Sequence, residues 1–425
     1  MKYFIESYGC QLNMAESNAL ELLLKGAGID KSEVAEDSDC VIINTCSVRK
    51  TAENRIWGRL SFFGKLKKQK KNYKIIVTGC MAERLKDELK KDCPFVDAVI
   101  GTNEKMEIVD FLLGENILNK EKYNFTASYY KEGEFSSYVP IMNGCNNFCS
   151  YCIVPYVRGR EISRSVDDII KEVKALDEKG VKEITLLGQN VNSYNYEGLT
   201  FPELLKLICK ELNNIEFVRF ESPHPKDFSD ELISVIKNEK RVCSHIHLPM
   251  QSGNSRILKL MNRKNTRESF IALIDKMRRE IPDLTFATDV MVGFPTETEE
   301  EYLDTLSLME YMHPIEAFMY YYNLREGTVA AKMEGQLEDD VKIARLERLI
   351  DEQLKRCQKE KLTRKDMITR GVVTGVTRDD KDKYLARNDH NEMISFKPKN
   401  KAEIGSMVNL KCYDLKGNTY LADEI

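Results

Sequence analysis

Short apolar runs alternate with amphipathic stretches through the first quarter of the chain. Tyr3-Phe-Ile-Glu-Ser-Tyr8, Cys40-Val-Ile-Ile-Asn-Thr45, Lys74-Ile-Ile-Val-Thr78 and Asp97-Ala-Val-Ile-Gly101 read as strands. Helical spacing fills the gaps: Met14 to Lys25, with Asn13 placed to cap it, a stretch after Ser47, and another from Met81. Nearly continuous apolar strands separated by helices predict a parallel, doubly wound α/β domain over residues 1–115. In such a sheet, ligands gather beyond the carboxyl ends of the strands.

A helix over Lys105 to Leu113 and a polar stretch over 116–137, read as linker and entry strand, lead into a second region over 138–361. Six apolar runs recur there: Tyr138 to Met142, Glu183 to Gly188, Phe217 to Glu221, His245 to Pro249, Thr285 to Val292 and Ala317 to Tyr322. Helical patterns such as Asp167 to Lys179 and Thr298 to Met312 separate them. Six βα units predict a partial (β/α)6 barrel with an open side and a site at the carboxyl ends of its strands. From 362 to 425 the period falls to two, in Ile368 to Val376, Tyr384-Leu-Ala386, Met393 to Phe396 and Ser406 to Leu410. That tail predicts a small antiparallel five-strand β-barrel, an architecture that often binds oligonucleotides.

Composition narrows the class. At 425 residues the chain has room for several domains and a sizeable core. Neither a secretory signal nor an apolar run of membrane-spanning length is present, which predicts a cytoplasmic protein. In that compartment, twelve cysteines point to metal ligation or buried thiols rather than disulfides. The net charge of −4 is uninformative, but Arg55, Arg59, Lys65, Lys67, Lys68, Lys70, Lys71 and Lys74 form a run without an acid, and Lys342 to Lys365 is also basic. Such runs are solvated helix faces or phosphate-facing surfaces.

Cys145, Cys149 and Cys152 stand in a C-x3-C-x2-C arrangement just after the first apolar run of the second region. Three thiolates this close can hold three corners of an iron–sulfur cube and leave its fourth iron open. A structural zinc site would need a fourth ligand, and none of the five histidines lies near this loop. The loop resembles that of the radical S-adenosylmethionine (radical SAM) superfamily. That resemblance implies an open iron that chelates the cofactor's methionine part and a cleavage yielding a 5′-deoxyadenosyl radical. A second trio, Cys10, Cys46 and Cys80, falls just after three successive strands, as Tyr-Gly-Cys, Asn-Thr-Cys and Thr-Gly-Cys. Parallel strands bring those positions to one rim. Cys40 is excluded, because six residues of extended chain place it roughly 20 Å from Cys46, at the opposite rim.

Polar residues at the strand ends of the second region are candidates for the pocket of S-adenosylmethionine: Gln189, Asn190, Glu221, Gln251 and Asp289. Carboxylates suit its ammonium and ribose hydroxyls, and amides suit its carboxylate, although each is equally compatible with a strand-end cap. His245 and His247 alternate with apolar residues and read as core histidines. Phe148 and Tyr151 lie between the ligands and read as shields. Arg158, Arg160 and Arg164 are candidates for phosphates or for surface ion pairs. Cys93, Cys209, Cys243, Cys357 and Cys412 read as ordinary packing.

The order of a three-cysteine α/β domain, a radical SAM loop and a terminal barrel resembles the methylthiotransferases over essentially the whole chain. The carrying motifs are Tyr8-Gly-Cys-Gln-Leu-Asn13, Asn44-Thr-Cys-Ser-Val-Arg49, Thr78-Gly-Cys-Met81, Gly144 to Gly159, Leu187-Gly-Gln-Asn-Val-Asn-Ser193, His247-Leu-Pro-Met-Gln-Ser-Gly253 and Val292-Gly-Phe-Pro-Thr-Glu-Thr298. Among them Gly9-Cys-Gln-Leu-Asn13, Asn44-Thr-Cys-Ser-Val-Arg49 and Gly188-Gln-Asn-Val-Asn192 most resemble the branch that modifies tRNA bearing N6-isopentenyladenosine next to the anticodon. The resemblance implies two 4Fe–4S clusters, S-adenosylmethionine, a tRNA substrate, an external electron donor and a terminal TRAM domain. Sibling branches act on threonylcarbamoyl-adenosine in tRNA or on a ribosomal-protein aspartate. A non-catalytic RNA-binding module with two structural metal sites is the alternative of a different class.

Overall fold

The computed structural model describes residues 1–47, 50–105, 107–114 and 133–425. Arg49 and most of the expected linker lie outside them. The first unit is a sheet of five parallel strands, β1 (Lys2–Ser7), β2 (Asp30–Lys31), β3 (Cys40–Thr45), β4 (Lys74–Gly79) and β5 (Ala98–Ile100), in the order β2-β1-β3-β4-β5. Sequence reading found four of these. β2 is two residues long and exposed, too short to show an apolar period.

Alternation along the central strands explains the two helical layers. Val41, Ile43, Ile75 and Val77 face Ile56, Leu60 and Phe63 of the helix Lys50–Gln69. Their neighbours Ile42 and Ile76 face Leu20 and Leu24 of the helix Gln11–Gly26, together with Ile108 and Leu112. Burial on both faces is what a parallel sheet requires of its strands.

The second unit holds six parallel strands, β6 (Ser136–Pro140), β7 (Glu183–Leu187), β8 (Phe217–Phe220), β9 (His245–His247), β10 (Thr285–Val292) and β11 (Glu316–Tyr321). β6, β7 and β8 form one ladder, and β9, β10 and β11 another. A parallel bridge between Val218 and Val242 joins the two. No ladder among the described residues joins β11 back to β6, so the barrel is open. On that side the helix Gln11–Gly26 packs Leu12 and Ala15 against Leu187 and Tyr138.

The chain ends in a closed five-strand barrel, Ile368–Val376, Tyr384–Asn388, Met393–Lys397, Met407–Lys416 and Thr419–Glu424. One of its pairings, Met393–Lys397 with Thr419–Glu424, is parallel, so the all-antiparallel expectation fails there. The reason is parity: a ring with an odd number of strands cannot alternate direction all the way round. The barrel caps the amino ends of β7 and β8. Arg219 donates to Glu183 at 2.9 Å and to the carbonyl oxygens of Asn388 and Asp389 at 2.5 and 2.9 Å, and Arg387 pairs with Glu183 as well.

Candidate active site

The register of the first sheet builds one cysteine trio. Ser7 stands beside Asn44, and Thr45 beside Gly79, so Cys10, Cys46 and Cys80 all emerge at one rim. β1 and β3 are where the strand order reverses, the usual ligand crevice of a doubly wound sheet. Cys40 opens β3 at the far rim, with its thiol on the Lys2 carbonyl oxygen. Gly9 has φ of +113°, and a Cβ there would lie 2.6 Å from Cys46 Cβ and 2.7 Å from its sulfur. Only glycine lets these two cysteine loops approach so closely.

Asn13 does not cap a helix as its sequence position suggests. The helix begins at Gln11, and Asn13 sits buried in its first turn. Its Nδ2 donates to the carbonyl oxygens of Tyr8 and Thr45, both at 2.8 Å, which ties the loop of Cys10 to that of Cys46. Asn44 donates to the Asn13 carbonyl oxygen at 2.9 Å, and Thr45 Oγ1 donates to the Thr78 carbonyl oxygen at 2.6 Å. The polar residues flanking the cysteines are therefore the braces of the rim.

The other trio lies on the loop after β6. Cys145 N donates to the Gly159 carbonyl oxygen at 3.2 Å, and Gly144, at φ +82°, has no room for a Cβ beside the Arg160 carbonyl. The turn after the helix Ser255–Leu260 clamps the middle of the loop. Ser150 N donates to Met261 O at 3.0 Å, and Asn262 Nδ2 donates to Phe148 O at 2.8 Å. Burial pushes the Cys145 thiol up to about 11 and that of Cys152 to about 12, the latter with help from Cys149. Ligation is thus what would ionise them, with release of protons.

The two trios meet. Cys80 packs on Ile153 and Val157, directly beyond Cys152, and Thr102 Oγ1 donates to the Val157 carbonyl oxygen at 2.6 Å. Cys10 and Cys46 share a cavity of about 1000 Å³ with Cys145 and Cys152. Gln189, Glu221 and Asp289 also line it, whereas Asn190 and Gln251 do not. Asn190 instead donates to Asp227 at 2.9 Å, and Gln251 is bridged to Val290 within the sheet. Tyr138, Leu187, Phe318 and Tyr320 supply apolar wall.

Two residues escaped the sequence reading. His247 is no passive core histidine, for it lines the cavity between two carboxylates. Its Nδ1 is 3.2 Å from Glu221 Oε2 and its Nε2 3.1 Å from Asp289 Oδ2. Burial opposes its charge, but Asp289 and Glu221 outweigh burial and lift its pKa to about 10. His245, two residues away, is held neutral by burial and by Arg219. Arg263 is buried, with Nη1 3.9 Å from Cys149 sulfur and Nη2 donating to Pro249 O at 2.9 Å. No local pattern marks it, because its partners lie on other elements.

Two candidate phosphate contacts are corrected. Arg158 is 3% exposed and spans both units, with Nη1 2.7 Å from Glu16 Oε1 and Nη2 donating to Asn13 Oδ1 at 2.8 Å. Arg164 is buried against Glu172 and donates to the Pro140 carbonyl oxygen. Neither can reach a backbone phosphate. Arg160 stays exposed, with its guanidinium 4.4 Å from the Phe148 ring centroid.

Residues 139–309 match the Radical SAM superfamily, and residues 2–101 match an uncharacterized protein family, UPF0004. Over 100% of both lengths the chain is 44% identical to the tRNA-2-methylthio-N(6)-dimethylallyladenosine synthase of Treponema denticola. It is 42% identical to the synthase of the same name from Bacteroides fragilis, over 100% of this chain and 96% of that protein. The chain belongs to this synthase family. It is a radical SAM methylthiotransferase, and its cofactors are S-adenosylmethionine and two 4Fe–4S clusters. The methylthiotransferase also shares its fold with a radical S-adenosylmethionine methyltransferase, TsrM, from Kitasatospora setae. That match has a TM-score of 0.57 at 13% identity and covers 78% of this chain and 76% of that one.

The residues fit those cofactors. Each trio supplies thiols alone, one short of a closed four-cysteine shell. Buried Gln189 Oε1 has no protein partner, and the Glu221 and Asp289 carboxylates face the same cavity.

Proposed function

We propose that this enzyme adds a methylthio group to carbon 2 of N6-isopentenyladenosine next to the anticodon of tRNA, in the cytoplasm, with electrons from an external donor. The observation that carries the reading is the single cavity lined by cysteines of both trios. The likeness to the tRNA-2-methylthio-N(6)-dimethylallyladenosine synthases supports the substrate.

In this reading Cys145, Cys149 and Cys152 hold one cluster, and Cys10, Cys46 and Cys80 the other. When bound, these groups and S-adenosylmethionine supply the one-electron chemistry that an unactivated C–H bond demands and that no side-chain acid or base provides. The protein's contribution is placement. Gln189, Glu221 and Asp289 offer an amide and carboxylates to the amino-acid and ribose parts of the cofactor. His247, charged at neutral pH, fixes the rotamers of both carboxylates. Tyr138, Phe318 and Tyr320 give a flat base an apolar surface, and Leu12 and Met14 of the helix Gln11–Gly26 extend that lining. Arg158 holds the two cysteine-bearing units in one orientation.

The test uses anaerobically reconstituted enzyme with dithionite, S-adenosylmethionine and an anticodon stem-loop carrying isopentenyladenosine. Mass spectrometry of the nucleosides should show the 2-methylthio product together with 5′-deoxyadenosine. Product only from threonylcarbamoyl-adenosine RNA, or only from a ribosomal protein, would overturn the substrate.

A further inference from the structure

The run of cations from Arg55 to Lys74 either meets solvent or meets phosphate, and folding separates its members. Arg59 donates to Glu6 through Nε at 3.0 Å and Nη2 at 2.5 Å. Lys67 Nζ stands 2.5 Å from Asp97 Oδ1, and Lys70 donates to the carbonyl oxygens of Glu36 and Ser38. Arg55, one turn before Arg59 on the same helix, differs. It lines the cavity that cysteines of both trios share, and it is exposed, so it stands at the mouth. Its guanidinium lies over the Tyr8 ring, 5.7 Å from the centroid. Tyr8 lines the cavity too, two residues before Cys10.

Glu6, the acid bonded to Tyr8, is already filled: it accepts from the Tyr8 hydroxyl at 2.7 Å and from both Arg59 nitrogens. No hydrogen bond or ion pair among the described residues engages the Arg55 guanidinium. The other arginines that line the cavity, Arg219 and Arg387, are held by Glu183 and the terminal barrel at its far end, and His247 is held between Glu221 and Asp289. The wall of Tyr138, Leu187, Phe318 and Tyr320 suits a neutral base. A phosphate cannot follow that base inward, because burying an unpaired charge is costly. The phosphates flanking the nucleotide therefore stay at the mouth. A guanidinium there offers paired N–H donors that match phosphate oxygens, and the ring beneath it restricts its position.

We propose that Arg55 is a phosphate-binding residue of the RNA site. It clamps a phosphate flanking the nucleotide whose base enters the cavity, and that contact sets the base between Cys10 and Cys46 on one side and Cys145 and Cys152 on the other. The proposal rests on the reading that the substrate is RNA and names the group by which the RNA is held.

The test uses full-length, anaerobically reconstituted protein, with iron content to check that both clusters load, and an anticodon stem-loop carrying isopentenyladenosine. In filter binding across a salt series, Arg55→Gln should bind the stem-loop about tenfold more weakly. Its slope of log affinity against log salt should be shallower by about 0.7, the share of one single-strand phosphate. Arg55→Lys should keep the slope but regain only part of the affinity, since an ammonium lacks the planar fork. Lys68→Gln removes the same charge from the exposed far end of the helix and should change neither quantity. Stem-loops with a single methylphosphonate before or after the target nucleotide identify the phosphate. One of them should bind wild type as weakly as the natural stem-loop binds Arg55→Gln, and the two changes combined should lose no more. Unaltered affinity in Arg55→Gln, an equal loss in Lys68→Gln, or losses that add in full for both modified stem-loops would overturn the proposal. Weakened binding of S-adenosylmethionine with RNA affinity intact would overturn it as well, by moving Arg55 to the cofactor. Wild-type protein that does not bind the stem-loop would sink the RNA reading itself, and this proposal with it.

Discussion

Arg158 Nη1 stands 2.7 Å from Glu16 Oε1 across the junction between the sheet domain and the open barrel, and neither side chain is more than 8% exposed. Lys105 contacts the other oxygen of the same carboxylate. The pair fixes how the rim of Cys10 and Cys46 faces the loop of Cys145. Arg158→Ala should destabilise the protein by about 3 kcal/mol, the low end for breaking a buried pair, because Lys105 still faces Glu16. Urea denaturation of the two proteins measures it. The slope of log affinity for tRNA against log salt should stay at the wild-type value, since this guanidinium neutralises no phosphate.

Glu16 carries a pH signature. Burial alone would raise its pKa, but Arg158 and Lys105 overcome that and hold it at about 2, well below the ordinary carboxylate value. Its contribution is therefore present above about pH 4.5 and lost as pH falls through about 2, with a size of about 3 kcal/mol. Glu16→Gln should flatten the acid limb of a stability-against-pH curve. A curve parallel to wild type between pH 5 and pH 2 would contradict the assignment.

His247 behaves oppositely. Its folded pKa of about 10 lies above the ordinary histidine value, so its stabilisation is complete below about pH 6.5 and disappears as pH rises through about 10. Replacing it by Gln removes the charge that Glu221 and Asp289 share. The expected results are a loss of the stability decline between pH 7 and pH 10, and about tenfold weaker binding of S-adenosylmethionine to reconstituted protein. Equilibrium dialysis reads the second, and unchanged affinity would remove His247 from the cofactor pocket.

Gly9→Ala separates the trios. The added Cβ collides with Cys46 at 2.6 Å on backbone that L-residues rarely adopt, while the loop of Cys145 is untouched. Reconstituted variant should hold about four irons per chain rather than about eight, cleave S-adenosylmethionine, and make no methylthio product. Full iron loading would show that the rim tolerates the crowding.

Much of this was legible before folding. Strand and helix periods are set by neighbours two to four residues apart, so β1, β3, β4 and the six barrel strands announced themselves, and with them the cysteines that follow β1, β3, β4 and β6. The two-residue β2 carried too little pattern to be seen, and the parallel pairing in the terminal barrel follows from closing an odd ring, which no single strand records. Asn13 looked like a cap because helix starts attract such residues, and register alone turned it into the brace between Cys10 and Cys46.

By itself, then, the amino-acid sequence determined the longer elements, their order, and the two groups of three thiols with their spacing, because those depend on covalent neighbours and local periodicity. Tertiary structure decided which side chains lose water and which charges meet. Arg158 became a buried tie, His247 a charged bridge between Glu221 and Asp289, and cysteines of both trios came to line one cavity. The strength of a charge depends on its distance from partners and from solvent, and chain folding sets both across separations of a hundred residues or more.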